Sequence, residues 1–167
     1  MARLSHRTAP GCTYFVTTKT WENRAILRPP EVAQILVACL LKYRDQGAYA
    51  LHEFVVMPDH LHLLLTPGPT TALEKAVQFI KGGSSYEIHK QRNHKMEIWQ
   101  PWFHEWTVRD ARDYAARMHY IHANPVVGGL SESPVAWLYG SASGRYQIDE
   151  PPQGLKPLSI TRGNVGA

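Results

Sequence analysis

The sequence lacks the features of membrane-spanning, exported and disulfide-built proteins. It has no run of about 18 apolar residues, which a transmembrane helix needs, and its first residues contain no apolar segment typical of a signal peptide. Its only two cysteines, Cys12 and Cys39, are not at the paired spacing of a structural zinc site. We therefore expect a cytoplasmic protein with no membrane partner and reduced cysteines in its core. A single disulfide between them is the alternative.

Length and charge indicate one basic globular domain. The 167 residues are 44% hydrophobic, and 18 lysines and arginines stand against 14 acidic residues, for a net charge of +4. A basic surface suits a polyanion such as nucleic acid. We expect a single domain over residues 1–149, beginning with a loosely docked basic arm at residues 1–9. The proline- and glycine-rich residues 150–167 are predicted to form a flexible tail.

The hydrophobic pattern predicts a strand, a helix, two strands, a second helix, a fourth strand and a third helix. The predicted strands cover residues 13–18, 49–56, 60–65 and 98–108, and the predicted helices begin near residues 30, 71 and 111. This order matches the ferredoxin-like split βαβ fold. We therefore expect an α+β protein with a four-stranded antiparallel sheet, helices on one face and an extra helix.

Local signals predict where the later helices begin and end. Thr70 or Thr71 can cap the second helix, which then meets Gly82 and Gly83. The two glycines either break this helix or let another backbone approach closely. The third helix is expected to end at Asn124, because the residue before a proline avoids the helical region.

Two histidines lie side by side in the third predicted strand. Since strand side chains alternate between faces, His60 and His62 point the same way and lie roughly 7 Å apart along the strand. Leu61 and Leu63 then point into a core on the other face. Two imidazoles in this arrangement can present lone pairs to one cation. The alternative is that both are structural residues.

A tyrosine and an asparagine share one face of the third predicted helix. Tyr120 and Asn124 are four residues apart and therefore lie one helical turn from each other. An amide oxygen can bind a hard cation, and a phenol can act as a nucleophile. The alternative is that Tyr120 packs against the core and Asn124 caps the helix.

Four segments, in this order, carry a resemblance to a known family: residues 57–62 (MPDHLH), 79–86 (FIKGGSSY), 99–104 (WQPWFH) and 120–126 (YIHANPV). Together they resemble the single-tyrosine HUH transposases, and most of all their REP-associated tyrosine transposase branch. The resemblance covers residues 10–140 and implies the same ferredoxin-like fold predicted above.

The resemblance also implies a chemistry. His60, His62 and Asn124 would hold a divalent cation, Mg²⁺ or Mn²⁺, and Tyr120 would be the catalytic nucleophile. The protein would then nick and rejoin single-stranded DNA near REP-like hairpins through a 5′-phosphotyrosine intermediate, as a monomer or a homodimer. A catalytically silent protein that binds hairpin DNA sequence-specifically is the alternative.

Basic and aromatic residues supply candidate DNA contacts. The basic side chains could clamp phosphates, or could be only a solvated surface. The tryptophans Trp99, Trp102 and Trp106 could stack on bases, or could belong to a packed core. The candidate DNA-binding residues are Lys81, Lys90, Arg92, Lys95, Arg109, Arg112 and Arg117.

Overall fold

A computed structural model of the protein describes residues 11–155. The basic arm expected at residues 1–9, and the part of the expected tail from residue 156 onward, lie outside the described residues. The regular elements, in chain order, are β1 (Tyr14–Lys19), α1 (Pro30–Asp45), β2 (Tyr49–Met57), β3 (His60–Pro67), α2 (Leu73–Arg92), β4 (His104–Thr107) and α3 (Ala111–Val127). Short 3₁₀ turns cover Trp21–Asn23, Ser141–Ser143 and Gln153–Leu155.

The strands within residues 11–155 form one four-stranded sheet in the order β2-β3-β1-β4, in which all neighbours are antiparallel. This confirms the predicted ferredoxin-like α+β architecture. The histidine strand β3 is an inner strand, paired with both β1 and β2. Its backbone is therefore fixed on both sides, which makes it a rigid support for the side chains it presents.

The two faces of the sheet are covered by different helices. Leu61 and Leu63 point to the face that carries α1 and α2, where they join a core with Leu36 and Ile80. The opposite face packs against α3 through a second cluster that includes Phe15, Leu64, Met118 and Ile121. Because side chains alternate along β3, both histidines lie on the face opposite Leu61 and Leu63, as predicted, and the structure shows that α3 covers this face. Cys12 and Cys39 are both free thiols.

Two predicted helix boundaries are wrong. The residue before α2 is Ala72, which has extended backbone angles and makes no side-chain cap, so neither predicted threonine caps the helix. The third helix continues through Pro125 to Val127. The proline removes only its own hydrogen bond to the preceding turn, while Gly128 N still bonds Asn124 O at 2.9 Å and the proline ring is buried.

Two other expectations changed in detail. The predicted fourth strand begins only at His104, because the segment around Pro101 cannot complete a ladder and contributes a single bridge between Trp99 and Thr20. Gly82 and Gly83 do not break α2, which runs without interruption to Arg92. Gly83 allows a close approach, but of a side chain and not of a backbone: an added Cβ would lie 2.6 Å from the hydroxyl of Tyr43 in α1.

The segment after α3 returns along the free edge of β2. The Trp137 indole N–H donates to Val56 O at 3.0 Å, and Val56 N donates to Tyr139 O at 2.8 Å. Further on, Leu155 packs against the core cluster beneath α3. Within residues 11–155, none of the helices combines the length and hydropathy that crossing a bilayer requires.

Candidate active site

His60 and His62 lie next to each other on the α3 face of the sheet. Their ring centroids are 4.6 Å apart and the rings are tilted by 72°, so the two imidazoles meet edge to face. His62 is almost fully buried, whereas His60 is half-buried at the end of the strand. This is the side-by-side arrangement that the alternation of the strand predicted.

His62 is prepared to act as a neutral ligand. Its Nδ1 lies 2.7 Å from the Thr17 hydroxyl on β1, and its Nε2 is buried with no hydrogen-bond partner among residues 11–155. Burial, followed by the neighbouring charges of His60 and Lys19, lowers the pKa of His62 to about 3. The ring is therefore neutral near pH 7, and Nδ1–H donating to Thr17 leaves the Nε2 lone pair free. A buried ring nitrogen with a free lone pair and no hydrogen-bond partner, such as His62 Nε2, fits the role of a metal ligand.

His60 faces Asn124 across a short gap. Its Nδ1 lies 2.6 Å from a carboxylate oxygen of Asp59, and its Nε2 lies 3.2 Å from the Asn124 amide oxygen. When Nδ1–H donates to Asp59, both facing atoms are acceptors, so His60 and Asn124 would together suit a cation. The carboxylate behind the ring orients it as in many histidine metal ligands.

Tyr120 borders the same site from α3, one turn before Asn124. Its ring meets the edge of His62 at a centroid distance of 5.2 Å and that of Phe15 at 5.9 Å. The side chain is 53% exposed, so its hydroxyl end is accessible to a large substrate. The structure thus brings together all four residues predicted for the metal and the nucleophile.

Tyr120, His60 and His62 line an open cleft of about 790 Å³ between α3 and the β1–β4 half of the sheet, and Asn124 adjoins it through its contact with His60. On its wall, the Arg117 guanidinium lies 5.0 Å from the Phe15 ring centroid and 5.1 Å from that of Trp106. Phe15 and Trp106 are cross-strand neighbours, and contact with both rings keeps the charge close to the cleft and restricts its orientation. The lining residues are Phe15, Thr17, Lys19, Asn23, Asp59, His60, His62, His104, Glu105, Trp106, Arg117 and Tyr120.

The donor set fits a labile divalent cation better than structural zinc. Among the described residues, no group of three or more histidine, cysteine, aspartate or glutamate side chains is arranged to hold a metal. The candidate set has two imidazoles and one amide oxygen. Such a set leaves coordination positions for water or phosphate, which a closed zinc site does not.

The predicted DNA-binding residues lie in three places. Arg117 lines the cleft, and Arg109 and Arg112 are exposed near the start of α3. Lys90, Arg92 and Lys95 are exposed at or just beyond the C-terminal end of α2, and none of them lines the cleft. Lys81 is half-buried, and its ammonium donates to the backbone oxygens of Gln100 and Trp102 at 2.5 and 3.2 Å.

The three tryptophans considered for base stacking separate into two groups. Trp99 is buried and its indole N–H donates to Ser84 Oγ at 3.0 Å, as expected of a core residue. Trp102 and Trp106 are 58% and 55% exposed. Only the two exposed rings have a face that a base could reach.

Phe15 and Thr17 were not singled out from the sequence, although both contact His62. Thr17 contacts His62 because the two residues pair in the β1–β3 register. Phe15, two residues before Thr17 on the same face of β1, stacks on the His62 ring. No local motif marks either residue. An aromatic and β-branched strand was the only available signal.

Comparisons with known proteins bear on the family and the fold of the chain. The family model described as IS200-like transposase matches residues 8–124. A REP-associated tyrosine transposase of Escherichia coli K12 is 28% identical over 152 residues, which cover 83% of this chain and 84% of that protein. A solved structure of a REP-associated tyrosine transposase bound to a REP hairpin matches with a TM-score of 0.69 at 24% identity, covering 95% of this chain and 96% of that one.

Proposed function

Since this chain belongs to the IS200-like transposase family, we propose that it is a metal-dependent enzyme that nicks and rejoins single-stranded DNA beside a hairpin. The observation that carries the proposal is the chain of contacts that joins Asn124 to His60, His60 to His62, and His62 to Tyr120 at the edge of one cleft. Phosphodiester transfer of this kind uses a nucleophile, a cation site open to the phosphate and a positive charge beside them, which here are Tyr120, the histidine–asparagine set and Arg117.

The cation would be held by His60, His62 and Asn124, and Mg²⁺ or Mn²⁺ suits these donors. When bound, it would polarise the scissile phosphate and stabilise the oxygen that leaves. The protein's own contribution is to keep these donors ready. His62 stays neutral because it is buried, and Asp59 holds the His60 ring in a fixed orientation.

Tyr120 would attack the phosphorus atom in line. Its oxygen forms the new bond to phosphorus while the bond to the 3′ oxygen breaks, which gives a 5′-phosphotyrosine and a free 3′-hydroxyl. The phenolic proton would leave for solvent and the departing 3′ oxygen would take one up from solvent, which reaches this half-exposed side chain in the open cleft. The energy of the phosphodiester is kept in the covalent bond, so a 3′-hydroxyl can reverse the reaction and rejoin the strand.

The substrate would be single-stranded at the cut and folded as a hairpin nearby. An in-line attack by a side chain in this cleft requires a backbone that is not held in a duplex. Arg117, which lies over the rings of Phe15 and Trp106 and lines the same cleft as the tyrosine, would hold a phosphate. The hairpin itself is proposed by analogy with the structural neighbour, which was solved with a REP hairpin.

A covalent-adduct assay tests the proposal. The full chain is incubated with Mn²⁺ or Mg²⁺ and labelled single-stranded hairpin DNA from the flanks of its own gene, then run on a denaturing gel. We expect a slower band that depends on the metal and disappears in Tyr120→Phe, which removes only the hydroxyl oxygen. An adduct that persists in this variant would exclude Tyr120 as the nucleophile. Tight binding without an adduct would favour a silent hairpin-binding protein.

A further inference from the structure

A buried carboxylate lies between β2 and α3, on the side of α3 away from the cleft. Glu53 is 5% exposed in the middle of β2. One of its oxygens accepts hydrogen bonds from His122 Nε2 at 2.8 Å and from the hydroxyl of Ser141. The three residues, hereafter the Glu53 clamp, join β2, α3 and the segment that follows α3. The proposed reaction uses none of them.

A β-bulge turns Glu53 toward α3. Leu51 pairs with Leu65, but the next pair is Glu53 with Leu64, so β2 carries one extra residue at this point. Leu51 and Leu65 lie in the core on the α1 and α2 face, whereas Leu64 lies in the cluster beneath α3. The extra residue therefore moves Glu53 to the α3 face. Burying a carboxylate is costly without partners, and the bulge aims this one at two donors.

The clamp holds α3 on the side opposite its functional residues. His122 lies two positions from both Tyr120 and Asn124, which at 3.6 residues per turn places it about 160° around the helix from each. Side-chain ends lie about 5–6 Å from a helix axis, so a rotation of about 10° moves them by about 1 Å. The bond between His122 and Glu53 restricts this rotation.

We propose that Glu53 is a positioning residue: through His122 it fixes the rotation of α3 and so sets where Tyr120 and Asn124 lie relative to the histidine pair of β3. The inference rests on the proposed function for its effect on the reaction. It has a second consequence that does not need the reaction. If Asn124 is misplaced, the cation site loses a ligand in the correct position, and metal affinity falls.

The test compares Glu53→Gln and His122→Gln with the wild-type chain. Glutamine keeps the shape of Glu53 but removes its charge and makes one oxygen an N–H₂ donor. We expect Mn²⁺ affinity, measured without DNA by electron paramagnetic resonance of free Mn²⁺, to fall by about 10-fold or more. The rate of adduct formation at saturating Mn²⁺ and DNA should fall by about 100-fold, the effect of a displacement of about 1 Å. Affinity for the hairpin should not change.

Ser84→Ala is the matched control. Ser84 is buried and bonds the Trp99 indole, but on the α1 and α2 face of the sheet. We expect it to lower the melting temperature without changing Mn²⁺ affinity. If Glu53→Gln does not fold, His122→Gln and the milder Ser141→Ala decide the question, with effects in the same direction.

The outcomes separate the two proposals. If the clamp variants lose thermal stability but keep Mn²⁺ affinity and adduct rate within about twofold of the Ser84→Ala control, the clamp only stabilises the fold and the inference is wrong. If the wild-type chain binds no Mn²⁺, it is also wrong. If the wild-type chain binds Mn²⁺ but forms no adduct, the proposed reaction fails, while the affinities of the variants still decide the role of Glu53.

Discussion

Two adjacent glycines of α2 should respond in opposite directions to the same substitution. A Cβ added to Gly83 would lie 2.6 Å from Tyr43 Oη, 2.9 Å from Tyr43 Cε2 and 3.2 Å from Cys39 Sγ, all in α1. A Cβ added to Gly82 would meet nothing within 4 Å. Both residues lie inside the helix, so the comparison isolates the packing between α1 and α2, which support the sheet face opposite the histidines.

The magnitudes follow from two opposing effects. Alanine is more favourable than glycine in a helix interior by about 1 kcal/mol, so Gly82→Ala should raise the free energy of unfolding by about 0.5–1 kcal/mol. Gly83→Ala has the same gain but must displace Tyr43, whose ring is stacked on Phe79 at a centroid distance of 5.2 Å. Overpacking of this kind costs about 1–3 kcal/mol. We expect Gly83→Ala to be less stable than Gly82→Ala by about 1–3 kcal/mol.

Urea denaturation followed by circular dichroism measures this difference, and thermal unfolding should show it as roughly 2–4 °C per kcal/mol. Adding Tyr43→Phe to Gly83→Ala removes the nearest clashing atom and should recover part of the loss. If Gly83→Ala is as stable as Gly82→Ala, then α1 and α2 do not pack through Gly83, and the reasoning is refuted.

Two further predictions concern the charged residues. Asp149→Asn should lower the free energy of unfolding by about 1–3 kcal/mol at pH 7, because its carboxylate accepts two hydrogen bonds of 2.9 Å from Arg44. Arg44 holds the pKa of Asp149 below its usual range, so this difference should begin to shrink as the pH falls through about 4 and be lost once the pH is below the lowered pKa, which free energies of unfolding measured at successive pH values below 7 would show. Arg117→Gln should weaken hairpin binding and reduce the slope of log affinity against log salt by about one, whereas an unchanged slope would remove Arg117 from the DNA contacts.

The element order could be predicted because the periods of strands and helices are local properties of the sequence. The errors arose where a local rule met tertiary packing. The rule that helices stop before proline failed at Pro125, since its ring is buried and only one backbone hydrogen bond is lost. The aromatic stretch before His104 was predicted to be a strand because aromatic residues are common in strands. Trp99 is instead a core residue outside the strand.

The candidate site was predicted in part by geometry and in part by resemblance. Alternation along one strand places His60 and His62 on the same face, and this needs no knowledge of the rest of the fold. It does not say what lies opposite them. Asn124 is 64 residues after His60, so no local pattern connects them. Only the family resemblance indicated that they belong to the same site. The contact of Thr17 with His62 depends on the β1–β3 register, which no single strand encodes.

Glu53 shows that alternation predicts which face of the sheet a side chain lies on only as far as the next β-bulge in its strand. Strict alternation from Leu51 would place Glu53 beside it on the α1 and α2 face, where an unpaired carboxylate would be strongly unfavourable. One extra residue at the bulge reverses this assignment and brings the carboxylate to His122. The one local signal was an acidic residue within an otherwise apolar strand. Such a residue needs a partner when it is buried, so its presence argues for a break in register or a nearby donor, and here both occur together.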